Sequence, residues 1–112
     1  MRFEVNVGVR VYERLSDSLS YISNSLGSPQ AAKALLSGFS KAVDELETFP
    51  ENHPINRDAS KGLGFAVRRI PVGNYGLFYY VDRPTARVQA FSFLHSRQDV
   101  GTHIRSDYQS IS

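Results

Sequence analysis

The sequence contains no cysteine. That excludes a disulfide framework and a cysteine-based zinc site, and it fits the reducing cytoplasm in which we expect the protein. Long hydrophobic runs are absent as well. The longest mainly apolar stretch, Tyr75 to Val81, is far too short to cross a bilayer. The opening residues, MRFEVNVGVRVYER, alternate in character and carry charge, so they read as neither a signal peptide nor a membrane span. Internal repeats and low-complexity tracts are missing, and no shift in composition marks a second domain. What remains, at 112 residues and 41% hydrophobic, is enough for one domain around one core.

Charge is modest in total, +2, but unevenly placed. Residues 1–56 carry five Lys/Arg against seven Asp/Glu, whereas residues 57–112 carry eight against four. Seven of those eight are arginine, the side chain suited to bidentate phosphate contact and to stacking on bases. A basic second half therefore points to a polyanionic partner, the alternative being a solvated basic surface.

Hydrophobic periodicity divides the chain into elements. Phe3, Val5 and Val7 alternate with polar residues, which predicts a short strand that could continue through Val9 and Val11. Tyr12, Leu15, Leu19, Ile22 and Leu26 then recur at helical spacing, with Gly27 as C-cap. Ser28-Pro29 opens a second helix, its buried stripe formed by Ala32, Leu35, Leu36, Phe39, Val43 and Leu46, and Pro50 ends it. Residues 50–64 read as a connecting loop. Three strands follow, Phe65 to Pro71, Tyr75 to Asp82 and Arg87 to Leu94, separated by short turns and hence antiparallel. The tail from His95 onward lacks periodicity, leaving two readings from about residue 101, a frayed end or one short helix. The expected fold is α+β in the order β-α-α-β-β-β, with a helical hairpin packed on one face of a mainly antiparallel four-stranded sheet.

That order, and several local segments, resemble the RelE/ParE superfamily of small toxins from bacterial type II toxin–antitoxin systems. LSDSLSYISNSLGSPQAAKALL is similar to the family's first helix, its break and its second helix, and LETFPENHP to the end of helix two. RRIPVGNYGLFYYVD followed by VQAFSFLHSRQD resembles the family's arginine-bearing strand, Val-Gly-Asn-Tyr turn, aromatic strand and terminal His-x-Arg. The match covers residues 3 to about 100. It implies a toxin held inactive by a cognate antitoxin. One branch of the family cleaves messenger RNA on the ribosome; another poisons DNA gyrase and cleaves no RNA.

Metal-independent RNA cleavage needs a base for the 2′-hydroxyl, an acid for the leaving 5′-oxygen, and cations or donors for the charge on phosphorus. Arg69 falls where the resemblance puts the family's strand-two arginine, and its parity places it on the face of Phe65 and Val67; the alternative is an edge arginine paired with Asp82. His95 and Arg97 match the terminal site positions. Histidine is the side chain whose reference pKa lies near neutrality, which makes His95 a candidate acid or base, although a lone histidine at a strand end is more often hydrogen-bonded and structural. Asp99 is a candidate partner for Arg97. Arg68, predicted to point to solvent, joins Lys61, Arg87 and Tyr79 as candidate RNA contacts, with the aromatics of the last two strands offering stacking faces. No metal or other cofactor is expected, since the spacing of His53, His95 and His103 matches no ligand pattern.

Two positions depart from the RNA-cleaving branch. Pro71 stands where that branch often has a second basic residue, and Gln98-Asp99-Val100 where it has an aromatic, with Tyr108 too distant to assume a substitute. The expectation is a translation inhibitor acting by ribosome-dependent message cleavage, with ribosome and mRNA as partners and no membrane. The alternative is a gyrase poison.

Overall fold

The computed structural model describes residues 1–111. Strand β1 (Glu4–Val7) stops at Gly8, whose N–H donates to the Ala90 carbonyl at 2.8 Å and which serves as N-cap of α1 (Val9–Ser20). The strand therefore does not run on to Val11. Helix α1 continues through a π-helical turn, Tyr21–Ser25. A π turn takes one extra residue, which rotates the residues beyond it about the helix axis. Leu26, expected in the buried stripe, is consequently exposed. Tyr12 is exposed too, because Val11 and Leu15 hold the core side of this helix.

Gly27 adopts a positive φ of 64° to reverse the chain. Helix α2 (Pro29–Leu46) starts as its sequence demands, with Ser28 Oγ accepting from the Ala31 N–H at 3.3 Å and Pro29 in the first turn. Leu35, Phe39, Ala42 and Leu46 form its buried face, while Leu36 lies half out in solvent.

The segment expected to be a plain loop contains a helix, α3 (Arg57–Leu63). Asn56 caps it, its side chain accepting from the Ala59 N–H at 3.0 Å, and Gly64 closes it in the left-handed conformation. With seven residues and Ala59 alone fully buried, it leaves no apolar stripe to read. The same helix delays the next strand. The Asn56 N–H donates to the Val67 carbonyl at 2.7 Å, and the Val67 N–H to Ser60 Oγ at 2.9 Å. Residues 65–67 are thus tied to α3, and β2 runs only over Arg68–Val72.

Strands β3 (Tyr75–Asp82) and β4 (Arg87–His95) complete the sheet, and α4 (Val100–Gln109) follows. The spatial order is β1-β4-β3-β2. β2, β3 and β4 are antiparallel neighbours, but β1 lies parallel to β4, so the sheet is mixed. The helices return the chain to start β2 in the direction of β1, and the two antiparallel reversals through β3 then set β4 parallel to β1.

Both faces are covered. The hairpin packs on Ile70, Val72, Leu77, Tyr79, Val88, Ala90 and Phe93. On the second face α3 and α4 bring Ala59 and Ile104 against Val67, Phe78, Phe91 and Leu94. A bulge in β4 assists: Phe78 pairs with Ser92 but Tyr79 with Ala90, leaving Phe91 as the extra residue, turned to the second face.

Candidate functional site

Arg69 pairs with Phe78 in the β2–β3 ladder and so lies on the second face, as its parity indicated. Its side chain runs across Gly76, where an added Cβ would collide with Nε, and its Nη2 donates to the Tyr75 carbonyl at 3.3 Å. No contact with Asp82 forms among the described residues.

His95 pairs with Tyr75 at the same end of the sheet. Its ring meets the Tyr75 ring edge-on, centroids 5.0 Å apart, and Tyr75 stacks flat on Phe93 of the hairpin-side core. His95 is therefore on the opposite face from Arg69. Its Nδ1 accepts the Arg97 N–H at 3.1 Å, which puts the ring proton on Nε2 and leaves that nitrogen alone for chemistry. The Arg97 guanidinium is exposed and unpaired among the described residues. Asp99 does not engage it; its carboxylate caps α4, accepting from the Gly101 N–H and Thr102 Oγ1. Apart from that bond from the Arg97 backbone to the His95 ring, no hydrogen bond or ion pair between the side chains of Arg69, His95 and Arg97 forms among the described residues.

The candidate RNA contacts are similarly dispersed. Tyr79 is fully buried under the hairpin, and its hydroxyl donates to the Pro50 carbonyl at 2.6 Å, so it has no face to offer a base. Burial also holds that hydroxyl's pKa far above the usual tyrosine value. Arg68 is half-buried rather than free in solvent: its Nη1 donates to the carbonyls of Glu51 and His53, at 3.3 and 2.7 Å, and secures the α2–α3 loop. Lys61 is exposed on α3. Arg87, with Nε 3.9 Å from Glu4, stands at the start of β4, eight residues and roughly 26 Å from His95.

One constellation had no signal in the sequence. Asp107 of α4 is buried, and its carboxylate accepts from both Nη atoms of Arg14 on α1 and from Ser92 Oγ at 2.6 Å. Arg14 and Asp107 lie 93 positions apart, beyond the reach of any spacing rule. β1 ends its pairing at Ala90, so the outer edge of β4 is open beyond it, and this ion pair joins the two helical layers. A buried ion pair with every acceptor satisfied is stable only as a unit.

Among the described residues, no three His, Asp or Glu side chains gather to hold a metal ion. No helix there is long and apolar enough to cross a membrane.

A β-α-α sequence closing parallel onto a meander, with arginines around the sheet and a capping C-terminal helix, is the architecture of the small RelE-like proteins. A solved archaeal RelE–RelB complex from Pyrococcus horikoshii OT3 has the same fold, with a TM-score of 0.57 at 17% identity over 88% of this chain and 100% of that one. No curated protein matches the sequence. The sequence model described as "ParE toxin of type II toxin-antitoxin system, parDE" matches residues 10–100. The chain belongs to this family of type II toxins.

Proposed function

We propose that this toxin arrests growth by binding and poisoning DNA gyrase rather than by cleaving messenger RNA, and that a cognate antitoxin neutralises it. The observation that carries the reading is the separation of Arg69 and His95 onto opposite faces of the sheet. In-line attack by a 2′-hydroxyl needs base, acid and cation around one phosphate, within hydrogen-bond reach of it. Here the candidate acid/base and the strand-two arginine face different layers, Tyr79 is inside, and Arg68 holds loop carbonyls. Pro71 and Gln98 add nothing that replaces them. A toxin that works by binding has no such requirement, and the ParE match favours the gyrase branch over the RNA-cleaving one. The antitoxin is supported by the family and by the complexed state of the RelE relative.

The test adds purified protein to two reactions. In a gyrase supercoiling assay, cleaved plasmid accumulates and supercoiling falls. In a cell-free translation reaction, mapped 5′ ends of the message stay as they were. New 5′ ends at ribosome-occupied codons, lost in Arg69→Ala, would overturn the proposal in favour of message cleavage.

A further inference from the structure

The second face carries a depression of about 350 Å3 at the far end of β3, lined by Phe65, Ala66, Tyr80, Val81, Asp82 and Tyr108. It exists because strands part there. β2 pairs with β3 only as far as Tyr79, and residues 65–67 are drawn off toward α3. Tyr80, Val81 and Asp82 therefore have β4 on one side and no strand on the other. Val81 points to the hairpin side yet also lines the depression, so the hollow reaches round this open edge.

Its walls are aromatic. The Phe65 ring stands edge-on to Tyr80, 5.4 Å between centroids at 79°, and tilted to Tyr108 at 5.3 Å, with Tyr80 and Tyr108 6.2 Å apart. All three rings are partly exposed. Neither tyrosine hydroxyl has a hydrogen-bond partner among the described residues, nor does Asp82 have an ion-pair partner there. Both neighbouring cations are engaged elsewhere. Arg87, the cross-strand neighbour of Asp82, turns to Glu4, and Arg83 binds Glu51 at 2.5 Å. The Tyr80 hydroxyl is pushed above the ordinary tyrosine pKa by burial, then by Tyr108 and Asp82 beside it, which marks the spot as unfavourable to further negative charge.

Aromatic faces are negative and attract cations, and a free carboxylate beside them adds a directed acceptor. A guanidinium answers both features, because its plane stacks on a ring while its edge donates to a carboxylate; an ammonium does only the second well. An open strand edge meanwhile recruits extended backbone. We infer that this depression is a recognition pocket for an arginine side chain, presented by an extended segment of a partner protein that pairs with β3 at Tyr80–Asp82. The pocket is independent of which target the toxin has.

The full chain is titrated with the peptide acetyl-Thr-Val-Arg-Val-Thr-amide and with its citrulline counterpart, a neutral isostere, while the aromatic carbon–proton resonances are followed by NMR. The arginine peptide shifts Phe65, Tyr80 and Tyr108 saturably, and the citrulline peptide binds about tenfold more weakly. Asp82→Asn, a change at a partly exposed strand end, brings the arginine peptide to the citrulline level with the rest of the spectrum unchanged. Equal binding of the two peptides, shifts confined to other residues, or undiminished binding by Asp82→Asn would each overturn the inference. Replacing arginine by lysine weakens binding if stacking contributes; equal affinity would reduce the site to a simple charge contact and overturn the guanidinium assignment.

Discussion

At Gly76 a hydrogen in place of a side chain decides where an arginine lies. A methyl there would collide with Arg69 Nε and Cζ, but both atoms belong to the end of a flexible side chain. Gly76→Ala should therefore leave the fold intact and swing Arg69 away from the Tyr75 carbonyl. The expected loss is about 1 kcal/mol, read from urea unfolding, with the Arg69 Nε–H resonance moving to a solvent-like position. Tyr79 behaves differently because its partner is fixed. Tyr79→Phe leaves the Pro50 carbonyl unsatisfied beneath the hairpin, costing about 1–3 kcal/mol. It should also alter the alkaline limb of the stability curve. The folded-state pKa of Tyr79 is raised, chiefly by burial, so its contribution is complete below the ordinary value of 10.0 and is lost as pH rises above it. Unfolding measured at pH 9 and 11 should show a smaller alkaline loss in Tyr79→Phe than in the parent. An equal loss in both would mean that this hydroxyl does not titrate as its burial requires. Alternation alone does not tell which of Tyr79 and Tyr80 turns inward, for a physical reason: with both faces of the sheet covered, consecutive aromatics can both be inward.

Among the elements, α4 depends most on a single long-range contact. Asp107→Ala removes the acceptor from Arg14 and Ser92 and leaves a mostly buried guanidinium without its counter-charge. We expect a loss of about 3–5 kcal/mol, with the amides of α4 exchanging hydrogen much faster than those of α2. Removing Glu13, whose pair with Arg10 is exposed, should shift stability by less than about 0.5 kcal/mol. If the two variants lost similar stability, the Arg14–Asp107 pair would not be holding the helical layers together. The hairpin helices were legible because their apolar stripes are long and their caps are chemical: Ser28, Pro29 and Gly27 act as the sequence indicates. Helix α3 was not, because one buried alanine makes no stripe, and α4 was ambiguous because it fully buries only one apolar side chain, Ile104, beside the charged Asp107.

For the whole molecule, the Arg83–Glu51 pair links the β3–β4 turn to the α2–α3 loop, next to the points where Arg68 and Tyr79 grip the same loop. Hydrogen bonding from Arg83 holds the Glu51 carboxyl below its ordinary value of 4.5. Its stabilising effect is thus present above that value and disappears as pH falls through the lower folded-state value. Arg83 is exposed and Glu51 about a third exposed, so the effect is small and shrinks with added salt. Urea midpoints at pH 6 and pH 3, in low and high salt, should converge for the parent and Glu51→Gln at the lower pH; a difference that persists in acid would assign another role to Glu51.

Local sequence by itself determined the helical hairpin, the three-stranded meander with its turns, and the face on which Arg69 lies, because each follows from side-chain period and the conformational limits of glycine and proline. The family resemblance rested on the same segments. Tertiary structure alone decided which residues meet. It set β1 parallel beside β4, used Asn56 and Ser60 to pull residues 65–67 out of the sheet, buried Tyr79, bound Arg68 to carbonyls and joined Arg14 to Asp107. These outcomes depend on contacts between residues far apart in the chain and on the need to satisfy buried polar groups, neither of which leaves a periodic trace. Arg69 and His95, each well placed in sequence, are parted by the thickness of the sheet for the same reason.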